Sequence, residues 1–123
     1  MNKKNTEKLL KKYPKLLRQF YLTPQETCLC WGFECGDGWF DLIDTLFDRI
    51  VKIDPDIEVT QCKQKFGALR VYLNKYNENI NELLDDADKA SRVICEACGS
   101  LENVSFTRGW VRPLCEVCMS KGR

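Results

Sequence analysis

An α+β fold, with helices packed on a small antiparallel sheet, follows from three stretches of this 123-residue chain. Residues 40–53 alternate apolar and charged side chains at the helical period. Residues 57–65 and 68–74 are rich in β formers and are joined by Phe66-Gly67, which reads as a hairpin. The last quarter carries Cys95-Glu96-Ala97-Cys98-Gly99 and, further on, Leu114-Cys115-Glu116-Val117-Cys118. Two C-x2-C pairs at this separation match the ligand spacing of one tetrahedral zinc, so the chain is expected to end in a zinc ribbon.

The ribbon follows from its own residues. Gly99 suits a knuckle that turns through positive φ. Residues 103–107 alternate apolar and polar side chains, and Arg108-Gly109 turns the chain into Trp110-Val111. Cys95, Cys98, Cys115 and Cys118 would hold a single Zn2+, and four protein ligands make it structural. Residues 1–94 form the helical and hairpin core; residues 95–123 form the ribbon, expected to pack on that core as one domain.

Taken in order, residues 1–20 place Leu9, Leu10, Tyr13, Leu16, Leu17 and Phe20 at helical spacing, with Pro14 kinking or dividing the helix. Lys3, Lys4, Lys8, Lys11, Lys12, Lys15 and Arg18 lie on its other side, either in solvent or as a basic arm for an anionic partner. Thr23-Pro24-Gln25-Glu26 has the form of a helix start with a capping box. The helix over 40–53 has Trp39, Leu42, Ile43, Leu46, Phe47, Ile50 and Val51 on its apolar face, with Asp37 or Gly38 as its cap. Trp39 is expected in the core with Ile43, or else as a ligand platform. A last helix over 79–94 delivers the chain into Cys95.

Composition narrows the function classes. Net charge is +1, which argues against bulk binding of nucleic acid. Without histidine there is no Ser-His-Asp triad and no H-E-x-x-H site. No apolar run reaches membrane-spanning length. Eight cysteines without an export signal point to reduced thiols and a cytoplasmic location. Cys28, Cys30, Cys35 and Cys62 are candidates for a second metal, but their spacing is poor and buried cysteines are common.

The combination of Cys35-Gly36-Asp37-Gly38-Trp39 before a helix, Lys63–Arg70 (K-x-K-F-G-x-L-R) in a hairpin and the paired C-x2-C motifs resembles a family of small zinc-ribbon proteins. Its members are encoded by bacteriophages and scattered through bacterial genomes. The resemblance covers roughly residues 34–118. It implies a context, not an activity: a phage accessory protein that disarms host defence or redirects host machinery. Members often carry a hydrophobic residue where Cys62 stands, which weakens the case for a second metal.

The hairpin is the most informative stretch for binding. A two-residue turn at Phe66-Gly67 sets Lys65 opposite Ala68, Lys63 opposite Arg70 and Gln61 opposite Tyr72. Like charges face to face need an anion, either a phosphate or an aspartate of the 40–53 helix. The Gly36-Asp37-Gly38 turn offers N–H groups for an anion and is expected beside Lys63 and Arg70. Asp37, Trp39, Lys63, Lys65, Arg70, Tyr72 and Trp110 are therefore the candidate ligand or partner contacts. The expected function is non-enzymatic binding of a host protein or a phosphorylated small molecule. The alternative is a nucleic-acid-binding ribbon using Arg92, Arg108, Arg112, Lys121, Arg123 and the N-terminal lysines. A metal-dependent nuclease or nucleotide hydrolase ranks below both, for want of paired carboxylates or a nucleophile with its base.

Overall fold

The computed structural model describes residues 1–121. Helix α1 runs Lys3–Lys12, and its first N–H groups are met by the Asn2 side chain, which accepts from the Asn5 N–H at 2.8 Å. Pro14 ends it: the chain continues through Leu16 and Leu17, both buried, into a 3-10 turn over Arg18–Tyr21. Part of this segment's positive charge is met within the chain. Lys12, Lys15 and Arg18 pair with Asp44, Asp56 and Glu58 of the body.

The expected helix start at Thr23 is only a turn, in which the Glu26 and Thr27 N–H groups donate to the Thr23 carbonyl at 2.9 and 3.1 Å. A cap sequence needs an apolar periodic run behind it, and residues 27–36 supply none. They form instead a 3-10 turn over Leu29–Trp31 and a two-residue strand β1, Phe33–Glu34. A third 3-10 turn, Asp37–Trp39, leads into α2, Phe40–Ile53.

Strands β2 (Val59–Lys65) and β3 (Ala68–Leu73) form the antiparallel hairpin in the expected register, with Lys63 opposite Arg70 and Lys65 opposite Ala68. Phe66 and Gly67 both have positive φ, 52° and 84°, as a tight two-residue hairpin turn of the mirror-image class requires. Strand β1 adds to β2 in parallel, so the three-stranded sheet β1-β2-β3 is mixed and not wholly antiparallel. A strand of two residues leaves no periodic trace in a sequence.

Helix α3 spans Glu78–Ser91, capped by Asn77, and stops three residues short of the expected end. The core lies between the sheet, α2, α3 and the N-terminal segment. Trp39, Ile43, Phe47 and Ile50 meet Leu9, Leu17, Val59, Cys62, Val71 and Ile80 there. The chain ends in a second hairpin, β4 (Val104–Phe106) with β5 (Pro113–Cys115), and a short helix α4, Glu116–Lys121, that was not expected. Among the described residues no helix is long and apolar enough to cross a membrane.

Candidate metal centre and exposed aromatic face

Two turns bring four sulfurs together. In the first knuckle Gly99 turns at φ 84° and donates its N–H to the Cys95 carbonyl at 2.8 Å. In the second, at the β5–α4 junction, the Cys118 N–H points at the Cys115 sulfur, 3.4 Å away. The Sγ atoms of Cys95, Cys98, Cys115 and Cys118 all lie within 4.8 Å of one another, with Cys98 and Cys115 3.7 Å apart. Zinc–thiolate bonds of about 2.3 Å give tetrahedron edges of about 3.8 Å, so the set fits one tetrahedral ion.

The sulfurs differ as acids. Burial pushes the Cys95 thiol up, but N–H groups of Cys115, Cys98 and Ala97 outweigh it and bring the thiol down to about 6. Hydrogen bonds shared with Cys98 and Cys115 push Cys118 up to about 12. One site is thus ready to ionise while its neighbour resists. A divalent cation resolves that conflict by taking all four as thiolates.

The other cysteines do not gather into such a site among the described residues. Cys28 is exposed, and Cys30 turns its sulfur to the Thr27 carbonyl at 3.4 Å. Cys35 and Cys62 are buried, and hydrogen bonding between them together with burial holds Cys62 as a thiol.

The Gly36-Asp37-Gly38 turn does hold an anion, and the anion is internal. The Gly36 N–H donates to Glu96 Oε2 at 2.7 Å, and the Gly38 N–H to the Glu96 carbonyl at 2.7 Å. Glu96 is 4% exposed; its carboxylate also accepts from Arg112 Nε at 3.0 Å. A Cβ at Gly36 would lie 2.3 Å from the Glu96 oxygen, and one at Gly38 2.1 Å from the Cys95 oxygen. Both positions are glycine because the metal knuckle is packed against them. Asp37 does not cap α2. It accepts from the Asn2 N–H at 2.7 Å and from Asn5 Nδ2 at 3.1 Å, at the N-terminal end of α1 where negative charge is favoured.

Arg70 also finds its anion within the chain, on α3 and not on α2. It pairs with Asp88, which is shared with Arg92. The groove beside Arg70 and Tyr72 is lined by Asp85 and Asp88 together with Lys65 and Phe66, so its cations stand beside carboxylates of the same chain. Lys63 lies between Glu34 and Arg70 in the sheet, its ammonium 6.0 Å from the Tyr72 ring centre. The Gly36–Gly38 turn is therefore committed to the ribbon, while Arg70 turns to α3, and the expected shared anion site does not form. Trp39 is fully buried and donates its indole N–H to the Ile94 carbonyl at 3.1 Å, so it packs in the core and offers no platform.

Trp110 and Lys65 fare differently. Trp110 is 82% exposed at the tip of the ribbon hairpin, and Phe66, outside the expected contact residues, is 77% exposed at the tip of the core hairpin. Gln64 ties the two tips together: its Oε1 accepts from the Gly67 N–H at 3.1 Å and its Nε2 donates to the Val111 carbonyl at 2.7 Å. Thr107 stiffens the second tip, donating to the Trp110 carbonyl at 2.6 Å and accepting from the Arg112 N–H at 2.9 Å. Of the cations expected on a ribbon surface, Arg92 and Arg112 are paired with Asp88 and Glu96. Arg123 lies outside the described residues.

No family model, curated protein or solved structure matches this chain.

Proposed function

We propose that the chain is a non-enzymatic binding protein whose structural zinc ribbon presents one face, the paired hairpin tips carrying Phe66 and Trp110. The carrying observation is Phe66. Its φ of 52° belongs to a turn position that Asn, Asp or Gly occupies at little cost. A phenylalanine there costs backbone energy and leaves a large ring in water, so its compensation comes from contact with a partner. Four thiolates complete a zinc tetrahedron and leave no position for substrate, which supports a structural role for the ion. A reducing, cytoplasmic setting keeps those thiols available.

The accessory role that the phage-family resemblance implies suits such a face, with a host protein as one class of target. The phosphorylated small molecule loses its motive, since Arg70 already pairs with Asp88. Capture from a host lysate with the wild-type chain and with a Phe66→Asn/Trp110→Ala double variant tests the face. A partner retained by the first and lost by the second is expected, with one zinc per chain in both. Equal capture by the two overturns the assignment.

A further inference from the structure

Resting on that binding face, the charges around it narrow its ligand. We propose that it takes single-stranded nucleic acid, with bases stacked on Phe66 and Trp110 and phosphates held by Lys65 and Arg108. Two grooves meet at Trp110. One, of about 200 Å³, lies between the tips and is lined by Gln64, Lys65, Phe66, Gly109, Trp110 and Val111. The other, of about 670 Å³, runs along the ribbon past Phe106, Arg108 and Arg112. Neither is lined by a carboxylate; on their other side Lys65 and Phe66 also border the groove beside Arg70, where Asp85 and Asp88 lie.

Among the described residues Lys65 and Arg108 have no acidic partner, while Arg70, Arg92 and Arg112 each have one. Both cations are therefore free to meet a phosphate on a chain of net charge +1. The Lys65 ammonium lies 5.8 Å from the centre of the Phe66 ring, so cation and stacking surface stand side by side, as phosphate and base do along a strand. The cleft of about 200 Å³ falls below the roughly 300–1,000 Å³ of sites that enclose a small molecule, while the groove of about 670 Å³ falls within it. An open strand needs no enclosure, only exposed rings and a basic track. A duplex keeps its bases stacked and offers these rings nothing. Gln64 would be the natural reader of a base edge, but both ends of its amide are already committed to Gly67 and Val111. Binding is therefore tolerant of sequence.

Fluorescence anisotropy of a labelled twelve-residue oligothymidylate, with a duplex of equal length as comparison, tests this on the zinc-loaded full chain. The single strand is expected to bind and the duplex to bind much more weakly. Affinity should fall with salt at a slope of about −0.7 for each phosphate contact, and Lys65→Glu or Arg108→Glu should each remove about that much slope. Trp110→Ala and Phe66→Asn should each weaken binding about tenfold or more. Asparagine suits the positive φ at position 66, so melting temperature and zinc content should hold in that variant. Unchanged affinity in both aromatic variants overturns the proposal. If the wild-type chain ignores the oligonucleotide while the double variant still loses a captured protein, the nucleic-acid proposal falls and the binding face stands. If the oligonucleotide is ignored and capture is equal, both fall.

Discussion

Glu96 sits between two cysteines of the candidate metal site, a place where a sequence suggests only a solvated acid. Its carboxylate instead joins the first knuckle to the Gly36 N–H and to Arg112 of the second hairpin, sixty residues from the first and sixteen from the other. Nothing local marks such a partner, because the acid's neighbours are set by how the ribbon docks. Arg112→Ala would leave that buried charge with only the Gly36 N–H and a long 3.5 Å contact from Gln64. We expect a loss of about 3 kcal/mol, by analogy with breaking other buried pairs. Glu96→Gln keeps the shape and should cost less, about 1.5–3 kcal/mol. Denaturant midpoints of the two variants check the order; a reversed order would contradict Arg112 as the main partner of the Glu96 carboxylate. The like-charge pair Lys63–Arg70 shows the same division. Its register was legible from the Phe66-Gly67 turn, while Asp88 as the balancing acid was not, since α3 reaches Arg70 only through packing.

Among the elements, α2 and the β2–β3 hairpin were readable because a single amphipathic face or turn decides each of them. The bounds expected for α2 are the bounds found. Residues 23–36 were not readable: Thr23-Pro24 signals a start without a helix behind it, and β1 is too short to show a period. The Gly36-Asp37-Gly38 motif was visible as special, yet its purpose appears only with the knuckle in place. At Gly38 a methyl group would meet the Cys95 oxygen at 2.1 Å and the Gly99 nitrogen at 2.6 Å, both backbone atoms that cannot swing aside. Gly38→Ala is expected to cost about 3 kcal/mol and to loosen the metal, because the knuckle must shift. Gly109 has a similar φ of 75° but open space around it, so Gly109→Ala should cost only about 1–2 kcal/mol of backbone strain and leave metal affinity alone. Thermal melts paired with a competitive chelator titration separate the two, and equal metal affinity in both variants would sink this account of the motif.

Across the whole molecule the ribbon and the core share their supports. Glu96 holds the turn that opens α2, Trp39 of that turn reaches the Ile94 carbonyl ahead of the first knuckle, and Gln64 ties the core hairpin to the ribbon hairpin. Metal binding should therefore be folding energy for the entire chain. Chelation is expected to lower a single cooperative transition seen both by tryptophan fluorescence of a Trp31→Phe/Trp110→Phe variant, which leaves only the buried Trp39, and by far-ultraviolet circular dichroism. A core transition that stays put while the ribbon alone melts would show the two to be independent. The same linkage fixes the sign with pH. Near neutrality Cys95, down at about 6, is already largely ionised, whereas Cys118, up at about 12, still carries a proton that the metal must displace. Affinity should fall about tenfold per pH unit for each displaced proton. Below about pH 6 Cys95 adds its own proton to that number. Metal affinity measured from pH 8 to pH 5 should therefore steepen across that point. A slope that stays constant or flattens toward acid would contradict Cys95 as the first thiolate of the site.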